Sequence, residues 1–363
     1  MITRKLKRLS VAAALVATTA AFSADTIKDA FANGKVSGNI TAYGISSDNK
    51  GGTKDSGFSA GTASLSYETD SVKGFSAKLG YIAGTDFSEI EKGDASSFAN
   101  DSLMTEIYLK YADDNFAVIA GRQEIDLEWL GDYNEAVVGV LTAIPDTTIV
   151  AGYVDRQAAA DEDEIGTFAR VNGTKGAYVV DAKYAGVEGL EVNPYYYSAP
   201  DLADFYGIKA TYATDMFGIV GQYAKSSEDT QADGDIGHIE VSTELVGLSL
   251  AAGYITTDKT VGAGSISALG DNLSPFDNGA NTYSANADTI YASVSYEIAG
   301  IGLGALYGET DFGTSSKESE LNLTADYSIS EELALGLLYV DYDLDASASS
   351  DYNSISATLT YSF

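Results

Sequence analysis

The sequence contains no cysteine, four prolines, one tryptophan and one histidine among 363 residues. Without cysteine the chain forms no disulfide framework, thiol nucleophile or thiolate metal site. Few prolines suit a continuous sheet, because proline lacks the N–H that a sheet ladder uses. His238 is the one imidazole for general-base catalysis, and no recognisable serine or aspartate motif stands beside it. We therefore expect a strand-rich protein that is not an enzyme.

Positive charge is also scarce. The chain has 21 Lys and Arg against 53 Asp and Glu, a formal net charge of −32 at pH 7. Such a surface repels nucleic-acid phosphates and concentrates cations, so no nucleic-acid partner is expected. Two interpretations of the acids stay open, namely hydrated surface loops and a role in ion selectivity. The 25 Tyr and 13 Phe favour strands and membrane interfaces.

The first 23 residues have the order of a secretory signal peptide. A basic start, residues 1–8, precedes an apolar stretch, residues 9–22, and small residues stand at Ala21 and Ser23. The apolar stretch is shorter than the roughly 20 residues that a membrane helix needs. We expect cleavage after Ser23, with cleavage after Ala21 or Ala24 as alternatives, and hence an exported protein.

From Gly34 onward, apolar residues recur at every second position, the pattern of half-buried strands. The segments are about ten residues long, which is the length of a tilted strand that crosses a membrane. Short connections, often flanked by aromatic residues, alternate with longer polar ones. The longer ones are residues 47–57, 85–101, 158–175, 226–235 and 258–287. The pattern predicts an all-β fold: a closed antiparallel transmembrane β-barrel of about eighteen strands (sixteen as the alternative), with short periplasmic turns and longer extracellular loops.

Residues 24–363 are expected to form this barrel as a single domain. Ahead of the first strand, residues 25–33 predict a short helix at the periplasmic mouth, with Asp25 as N-cap and Gly34 as the C-cap glycine. An extended leader is the alternative for this segment. A lumen bounded by so many strands is too wide for side chains to fill, so a water-filled interior is expected.

The last strand alternates without exception from Ser354 to Phe363. Its outward face would carry Leu359, Tyr361 and Phe363, and such an ending resembles the assembly signal of bacterial outer-membrane barrels. The barrel assembly machinery is therefore an expected partner. This strand should pair with the first strand, because an open edge in lipid leaves backbone groups without partners.

Several stretches resemble the Opr-type outer-membrane porins of the campylobacterial lineage, relatives of the Campylobacter major outer-membrane protein. Ala24-Asp25-Thr26-Ile27 and the segment that follows it are similar to the mature N-terminus of that family, and Gly121-Arg122-Gln123-Glu124-Ile125-Asp126 is similar to its strand before the third loop. The resemblance implies an eighteen-stranded general porin, often trimeric, in the outer membrane of a Gram-negative cell. The loops here are shorter than the family pattern.

The candidate pore constriction is the segment 126–135, which carries four acids, no base and the single tryptophan. The candidate site residues are Arg122, Glu124, Asp126, Glu128, Asp132 and Glu135. If Ile119 and Ile125 face lipid, Arg122 and Glu124 face the lumen, opposite an acidic loop that prefers cations. The alternative is a surface loop with a salt-bridged arginine. Alternation also predicts four other charges that face the lumen, Glu106, Lys110, Glu240 and Glu244.

The sequence thus predicts an outer-membrane porin for passive diffusion of ions and small hydrophilic solutes, with a preference for cations. A substrate-specific channel is the alternative, for which Tyr195-Tyr196-Tyr197 would be an aromatic ladder; a membrane-interface cluster is the other interpretation of those tyrosines. No cofactor or metal is expected, although the acidic run 161–164 could bind calcium instead of being a solvated loop. Expected partners are outer-membrane lipid, lipopolysaccharide, small solutes, cations and two further copies in a homotrimer.

Overall fold

The structure is a computed structural model that describes residues 24–345 and 350–363. Its strands form one antiparallel sheet in which β1 pairs with both β2 and β19. Because the sheet closes on itself, no strand edge is left open to the membrane. The eighteen-stranded barrel is confirmed, and the sixteen-stranded alternative is wrong. The predicted signal peptide, residues 1–23, lies outside the described residues.

Eighteen long strands make the barrel wall, and β8 is a two-residue strand that pairs with the end of β7. The strands are β1 (Lys35–Asn49), β2 (Ser56–Glu68), β3 (Phe75–Glu89), β4 (Ser102–Ala112), β5 (Phe116–Glu124), β6 (Tyr133–Leu141), β7 (Thr147–Ala158), β8 (Ala169–Arg170), β9 (Ala177–Val187), β10 (Leu190–Ala199), β11 (Ala203–Ala213), β12 (Phe217–Glu228), β13 (Gly234–Leu245), β14 (Leu248–Thr257), β15 (Asp288–Ile298), β16 (Ile301–Phe312), β17 (Ser316–Ser328), β18 (Leu333–Leu344) and β19 (Tyr352–Ser362).

Short turns and longer loops alternate around the barrel, as predicted. The short turns include residues 188–189, 246–247 and 299–300. Three of the loops at the opposite rim are important below: the third loop (125–132), the fourth loop (159–176, which includes β8) and the seventh loop (258–287). The third loop is shorter than expected, because β6 already begins at Tyr133 and takes Glu135 into the wall.

The outer surface of the barrel is apolar between two levels of exposed aromatic residues. Near the short turns, the Phe75 and Tyr111 ring centroids lie 4.9 Å apart and those of Tyr212 and Phe217 lie 6.1 Å apart. Toward the other rim the exposed tyrosines are Tyr178, Tyr196, Tyr206, Tyr223, Tyr254 and Tyr307. Two such girdles around an apolar band are typical of a transmembrane barrel, since tyrosine is stable where lipid meets water.

The predicted N-terminal helix is present as α1 (Ile27–Ala32). Its N-cap is Thr26, whose Oγ1 accepts a hydrogen bond from the Asp29 N–H at 3.2 Å, and its C-cap is Asn33. The predicted caps Asp25 and Gly34 were each wrong by one residue. The helix lies against the β2–β3 turn, at the short-turn rim, where the Asp70 N–H donates to the Ala30 carbonyl at 3.0 Å. No helix within residues 24–345 and 350–363 is long and apolar enough to cross a membrane.

Candidate functional site: the lumen and its loops

The third loop folds into the barrel. Trp129 and Leu130, at its centre, are both fully buried, and Leu127 is 5% exposed. Next to them, Glu128 reaches the inner wall at β11, where its carboxylate lies 3.0 Å from the Lys209 ammonium. A loop that starts between β5 and β6 therefore extends across the lumen to a strand on another side of the barrel.

The seventh loop meets the third loop inside the lumen. The Gly131 N–H donates to the Leu269 carbonyl at 3.1 Å. The Asn272 amide donates to the Asp126 carboxylate at 3.0 Å and to the Leu127 carbonyl at 2.7 Å. The Trp129 and Tyr283 rings pack edge to face, with centroids 6.4 Å apart. Together the two loops form one packed body inside the barrel.

Two buried carboxylates of β17 hold the far side of the seventh loop. The Glu320 carboxylate accepts hydrogen bonds from the backbone N–H groups of residues 277, 278 and 279 at 2.9 to 3.1 Å. The Glu318 carboxylate accepts from the Asn281 backbone N–H at 3.0 Å, from its side-chain amide at 2.6 Å and from the Tyr342 hydroxyl at 2.8 Å. Both glutamates are 3% exposed. Because bonds to charged acceptors are the stronger kind, this contact fixes the loop to the wall.

The inner wall under these loops is apolar. The inward side chains of β6 and β7 include Val138, Val140, Val150 and Val154, each no more than 4% exposed. Further round the barrel, Tyr197, Phe205, Ile236 and Ile255 join the same core, together with Ile266 of the seventh loop. The continuous apolar run 136–141 is the sequence signal for such a wall, because a strand with both faces covered does not alternate. The expectation of an interior filled by water alone is therefore wrong for this half of the lumen.

The acidic run of the fourth loop also lies within the extracellular mouth. Ile165 is fully buried and forms a backbone bridge with Phe98 of the second loop (residues 90–101). The Ser97 hydroxyl of the same loop donates to the Asp163 carbonyl at 2.6 Å. Burial, with the nearby Asp161 and Asp132 carboxylates, raises the pKa of Glu164. Among residues 24–345 and 350–363, no group of three or more carboxylate or histidine side chains is arranged to hold a metal ion.

The structure reverses the orientation expected for Arg122. Ile119, expected to face lipid, is fully buried and stands opposite the buried Lys110 in the sheet. Arg122 instead stands opposite Ile107, which is 49% exposed on the lipid side, and opposite Glu135 in β6. The placement of Arg122, Glu124 and Glu135 in the lumen was therefore wrong. The error arose because alternation does not show which face is outside when both faces of a strand carry apolar residues.

The other predicted site residues fall into separate places. Asp126 and Glu128 do point into the lumen but are held by Asn272 and Lys209, as described above. Asp132 ends the third loop in the left-handed conformation, with φ 60°, and Glu124 is exposed at the rim. These residues do not form one charged ring. The third loop narrows the lumen mainly by its buried apolar side chains.

The four additional charges predicted to face the lumen are on the inward face of the sheet. Glu106 is 8% exposed and its carboxylate lies 2.7 Å from the Lys78 ammonium, while Lys110 is 5% exposed. Glu240 accepts a hydrogen bond from the Tyr291 hydroxyl at 2.7 Å, and Glu244, on the same face of β13, is exposed at the short-turn end. The Tyr291 hydroxyl also lies 2.8 Å from Nε2 of His238, so the histidine contacts a wall tyrosine.

The predicted tyrosine ladder is divided between the two faces of β10. Tyr196 is exposed on the outer surface, as in a membrane-interface girdle. Tyr195 and Tyr197 point inward but are nearly or fully buried, and the Tyr197 hydroxyl donates to the buried Asp181 carboxylate at 2.9 Å. Because their rings are covered, they do not form an open track for a solute.

Comparison with known proteins agrees with this architecture. Residues 33–221 match the family HP_OMP_2, described as "Putative outer membrane protein". The chain belongs to this outer-membrane family. No curated protein matches its sequence. Two solved structures with a similar fold are OccAB1 of Acinetobacter baumannii and OpdO of Pseudomonas aeruginosa, each with a TM-score of 0.77 and 14% sequence identity. The match to OccAB1 covers 94% of this chain and 99% of OccAB1, and the match to OpdO covers 93% of this chain and 98% of OpdO. Identities this low show the shared fold alone.

The inner wall of this outer-membrane barrel is polar on the side away from the packed loops. The inward residues of β19, β1 and β2 near the short-turn rim are half-buried serines, threonines and asparagine, namely Ser356, Thr358, Thr360, Asn39, Ser64 and Ser66. The seam closes as predicted, because β19 pairs with β1 from Ser362–Asn39 to Tyr352–Asn49. On the outer face of β19, Leu359, Tyr361 and Phe363 are 40% to 52% exposed.

Proposed function

We propose that this protein is a porin, through which ions and small hydrophilic solutes diffuse passively along the polar half of the lumen. One observation carries the proposal: the closed barrel has an inner wall of half-exposed hydroxyl side chains on β19, β1 and β2, and the packed loops cover the opposite wall. A closed barrel with a polar, accessible inner face supports a water path, since water and hydrated ions need hydrogen-bonding walls.

We further propose that the third, fourth and seventh loops together narrow this path. The acidic run 161–164 stands in the extracellular mouth, and the chain as a whole has a formal charge of −32. A mouth with excess negative charge raises the local concentration of cations. Cation preference is therefore assigned to the fourth loop more than to the third, whose Glu128 is paired with Lys209.

Recording from the purified barrel in a planar lipid bilayer tests both statements. We expect stepwise conductance, and under a potassium chloride gradient a reversal potential of the sign that cation preference gives. Absence of steps from a correctly folded barrel would refute the pore, and a reversal potential of the opposite sign would refute the selectivity alone. Glu162→Gln with Asp163→Asn should reduce the cation preference, whereas Asp48→Asn with Asp341→Asn, on the outward-facing side of β1 and β18, serves as the charge-matched control.

A substrate-specific channel is the second candidate. It is supported by the packed loops, which leave a narrower path than the strand number alone gives. Saturable block of the ion current by one class of solute would favour this candidate. Currents that respond to every small solute in proportion to its concentration would favour general diffusion.

We also propose export through a cleaved signal peptide, kinship with the campylobacterial porins, and assembly as a trimer. N-terminal sequencing of the mature protein would test the first, with Ala24 expected as the first residue. Chemical cross-linking in native membranes would test the trimer, with a threefold species expected and a purely monomeric one contradicting it.

A further inference from the structure

The three arginines of the described chain lie in one row across neighbouring strands. The register places Arg122 of β5 opposite Glu135 of β6, Glu135 opposite Arg156 of β7, and Arg156 opposite Arg170 of β8. We call these four residues, with Asp155, the arginine row. Opposite residues of an antiparallel pair share a face of the sheet, so the three arginines and Glu135 are on one face. Asp155 has no opposite residue, because the register shifts there, and it joins this face through its ion pairs with Arg156 and Arg170.

This face is the outer one. Gln123 and Asn134, next to Arg122 and Glu135, are paired with each other and buried inside the barrel. Gln157, next to Arg156, also points inward, because its amide donates to the Leu269 carbonyl of the seventh loop at 2.7 Å. Since side chains alternate along a strand, the residues of the arginine row point away from the lumen.

The row lies at the level of the outer aromatic girdle. β12 begins at Phe217 and β16 begins at Ile301, both at the short-turn rim. The girdle tyrosines Tyr223 and Tyr307 follow these first residues by six positions. Arg122 stands six positions after Phe116 on β5. The arginines thus occupy the level where lipid tails give way to headgroups, on the loop side of the barrel.

Arg122 is fully occupied by contacts within the protein. Its Nε and Nη2 lie 2.9 and 2.8 Å from the Glu135 carboxylate, its Nη1 donates to the Met104 carbonyl at 3.1 Å, and its guanidinium stacks 4.2 Å from the centre of the Phe168 ring. An arginine that is ion-paired, hydrogen-bonded to a carbonyl and stacked on an aromatic ring is held in one position. Arg122 therefore positions the row and is not its binding group.

Arg156 and Arg170 keep donors for another partner. Arg156 lies 3.6 Å from both Glu135 and Asp155, and its Nε has no hydrogen-bond partner among the described residues. Arg170 contacts Asp155 through Nη1 at 2.7 Å, and its side chain is 42% exposed. The row holds three guanidinium groups and two carboxylates and so keeps one positive charge, in a chain whose formal charge is −32.

We propose that Arg156 and Arg170 bind the phosphate of an anionic lipid headgroup, that of lipopolysaccharide in the outer leaflet. Guanidinium donors match phosphate oxygens in a bidentate manner, and the side chains of Arg156 and Arg170 are 37% and 42% exposed on this face. Elsewhere at this level the outer surface carries carboxylates such as Asp204, Asp235 and Asp288, which repel phosphate. The proposal rests on the outer-membrane location and is independent of the proposed pore.

The test measures lipopolysaccharide bound to the purified barrel by native mass spectrometry and by titration. The double variant Arg156→Gln/Arg170→Gln should bind it about tenfold or more weakly than the unchanged protein, because charge-assisted hydrogen bonds are lost. Lys225→Gln/Lys317→Gln, which removes two positive charges from the outer surface toward the loop rim on β12 and β17, is the matched control and should bind normally. The heat-dependent gel mobility of the barrel shows that each variant has folded.

Two further measurements identify the ligand. Lipid A without its phosphates should bind the unchanged protein weakly, with the same affinity that lipopolysaccharide has for the double variant. Inorganic phosphate should displace lipopolysaccharide from the unchanged protein only poorly. Equal affinity of the folded double variant and the unchanged protein would overturn the proposal. So would equal binding of the dephosphorylated lipid, or competition by inorganic phosphate at the concentration of the lipid. Single-channel conductance should be unchanged in the double variant, so failure of the pore proposal is seen separately.

Discussion

The two halves of the inner wall differ in what their strands turn toward the lumen. On β6, β7 and β9 many inward residues are valine or alanine, such as Val138, Val154 and Val179, and they are buried in the core that the third and seventh loops join. Near the short-turn rim of β19, β1 and β2 they are serine, threonine and asparagine, and many are only half-buried. Between the two aromatic girdles, the outer faces of both halves are apolar, as lipid requires.

This difference decides where the loops pack and where water can pass. Apolar inner residues release water when Trp129, Leu269 and their neighbours cover them, and that burial is favourable. Hydroxyl-bearing residues gain nothing comparable from being covered, since their hydrogen bonds to water would have to be replaced. The chain therefore divides one lumen into a packed half and a wet half.

Replacing residues 263–283 of the seventh loop by a short Gly-Ser linker tests the division most directly. We expect a several-fold larger single-channel conductance, because the loop occupies the packed half of the lumen and contacts Trp129 and Glu320. The measurement is bilayer recording. Shortening the first loop, residues 50–55, is the control and should change little. An unchanged conductance after the replacement would contradict the packing described here.

Trp129→Ala should destabilise the packed half. The side chain is fully buried, and a buried tryptophan replaced by alanine costs about 3–5 kcal/mol. Urea unfolding of the barrel in lipid vesicles measures the loss, and Trp129→Phe should retain most of the stability. Thr358→Val, on the wet half, is the counterpart and should leave stability close to the unchanged value. An equal loss of unfolding free energy in Trp129→Ala and Thr358→Val would contradict the distinction between the two halves.

Glu318→Gln/Glu320→Gln should loosen the seventh loop without removing it. Each hydrogen bond to a charged acceptor contributes about 1.5–3 kcal/mol, and these carboxylates accept several from the loop. We expect current fluctuations between two conductance levels as the loop leaves and rejoins β17. Asp326→Asn, on the same inward face of β17, is the control. A quiet current identical to that of the unchanged protein would show that the carboxylates are not needed to hold the loop.

The smallest expected effect is on the pH dependence of selectivity. Burial raises the pKa of Glu164, so this carboxyl takes up a proton at a higher pH than an ordinary glutamate as the solution is acidified. Cation preference should therefore begin to decline in mildly acid solution, and Glu164→Gln should remove that part of the decline. Hydrogen bonds from the backbone N–H groups of Glu91 and Gly57 lower the pKa of Asp94. Asp94→Asn should leave the decline in place, and reversal potentials at a series of pH values compare the two.

The barrel itself was predictable because lipid acts on every strand alike. Alternation in segments such as Ser354–Phe363 predicts strands, and closure follows from the cost of an unpaired edge in lipid. The site was predicted only in part. Asp126 and Glu128 were correctly assigned to an inward loop, but Arg122 and Glu135 were assigned to the wrong face, because Ile119 faces a core that alternation cannot distinguish from lipid.

What the sequence by itself determined is local: strand positions, the apolar outer band, the short helix α1 and the terminal strand that closes the ring. Each follows from a period of two or from a cap, and each can be recognised within about a dozen residues. Only the tertiary structure decided that the seventh loop fills half the lumen, that Glu318 and Glu320 hold it, and that the arginines face outward. These features depend on contacts between residues that are distant in the chain: Gln157 with Leu269 and Asp126 with Asn272 are more than a hundred positions apart, and Glu320 is 41 to 43 positions from the loop residues that it holds. No local pattern encodes them, because the partner of each side chain is set by barrel closure.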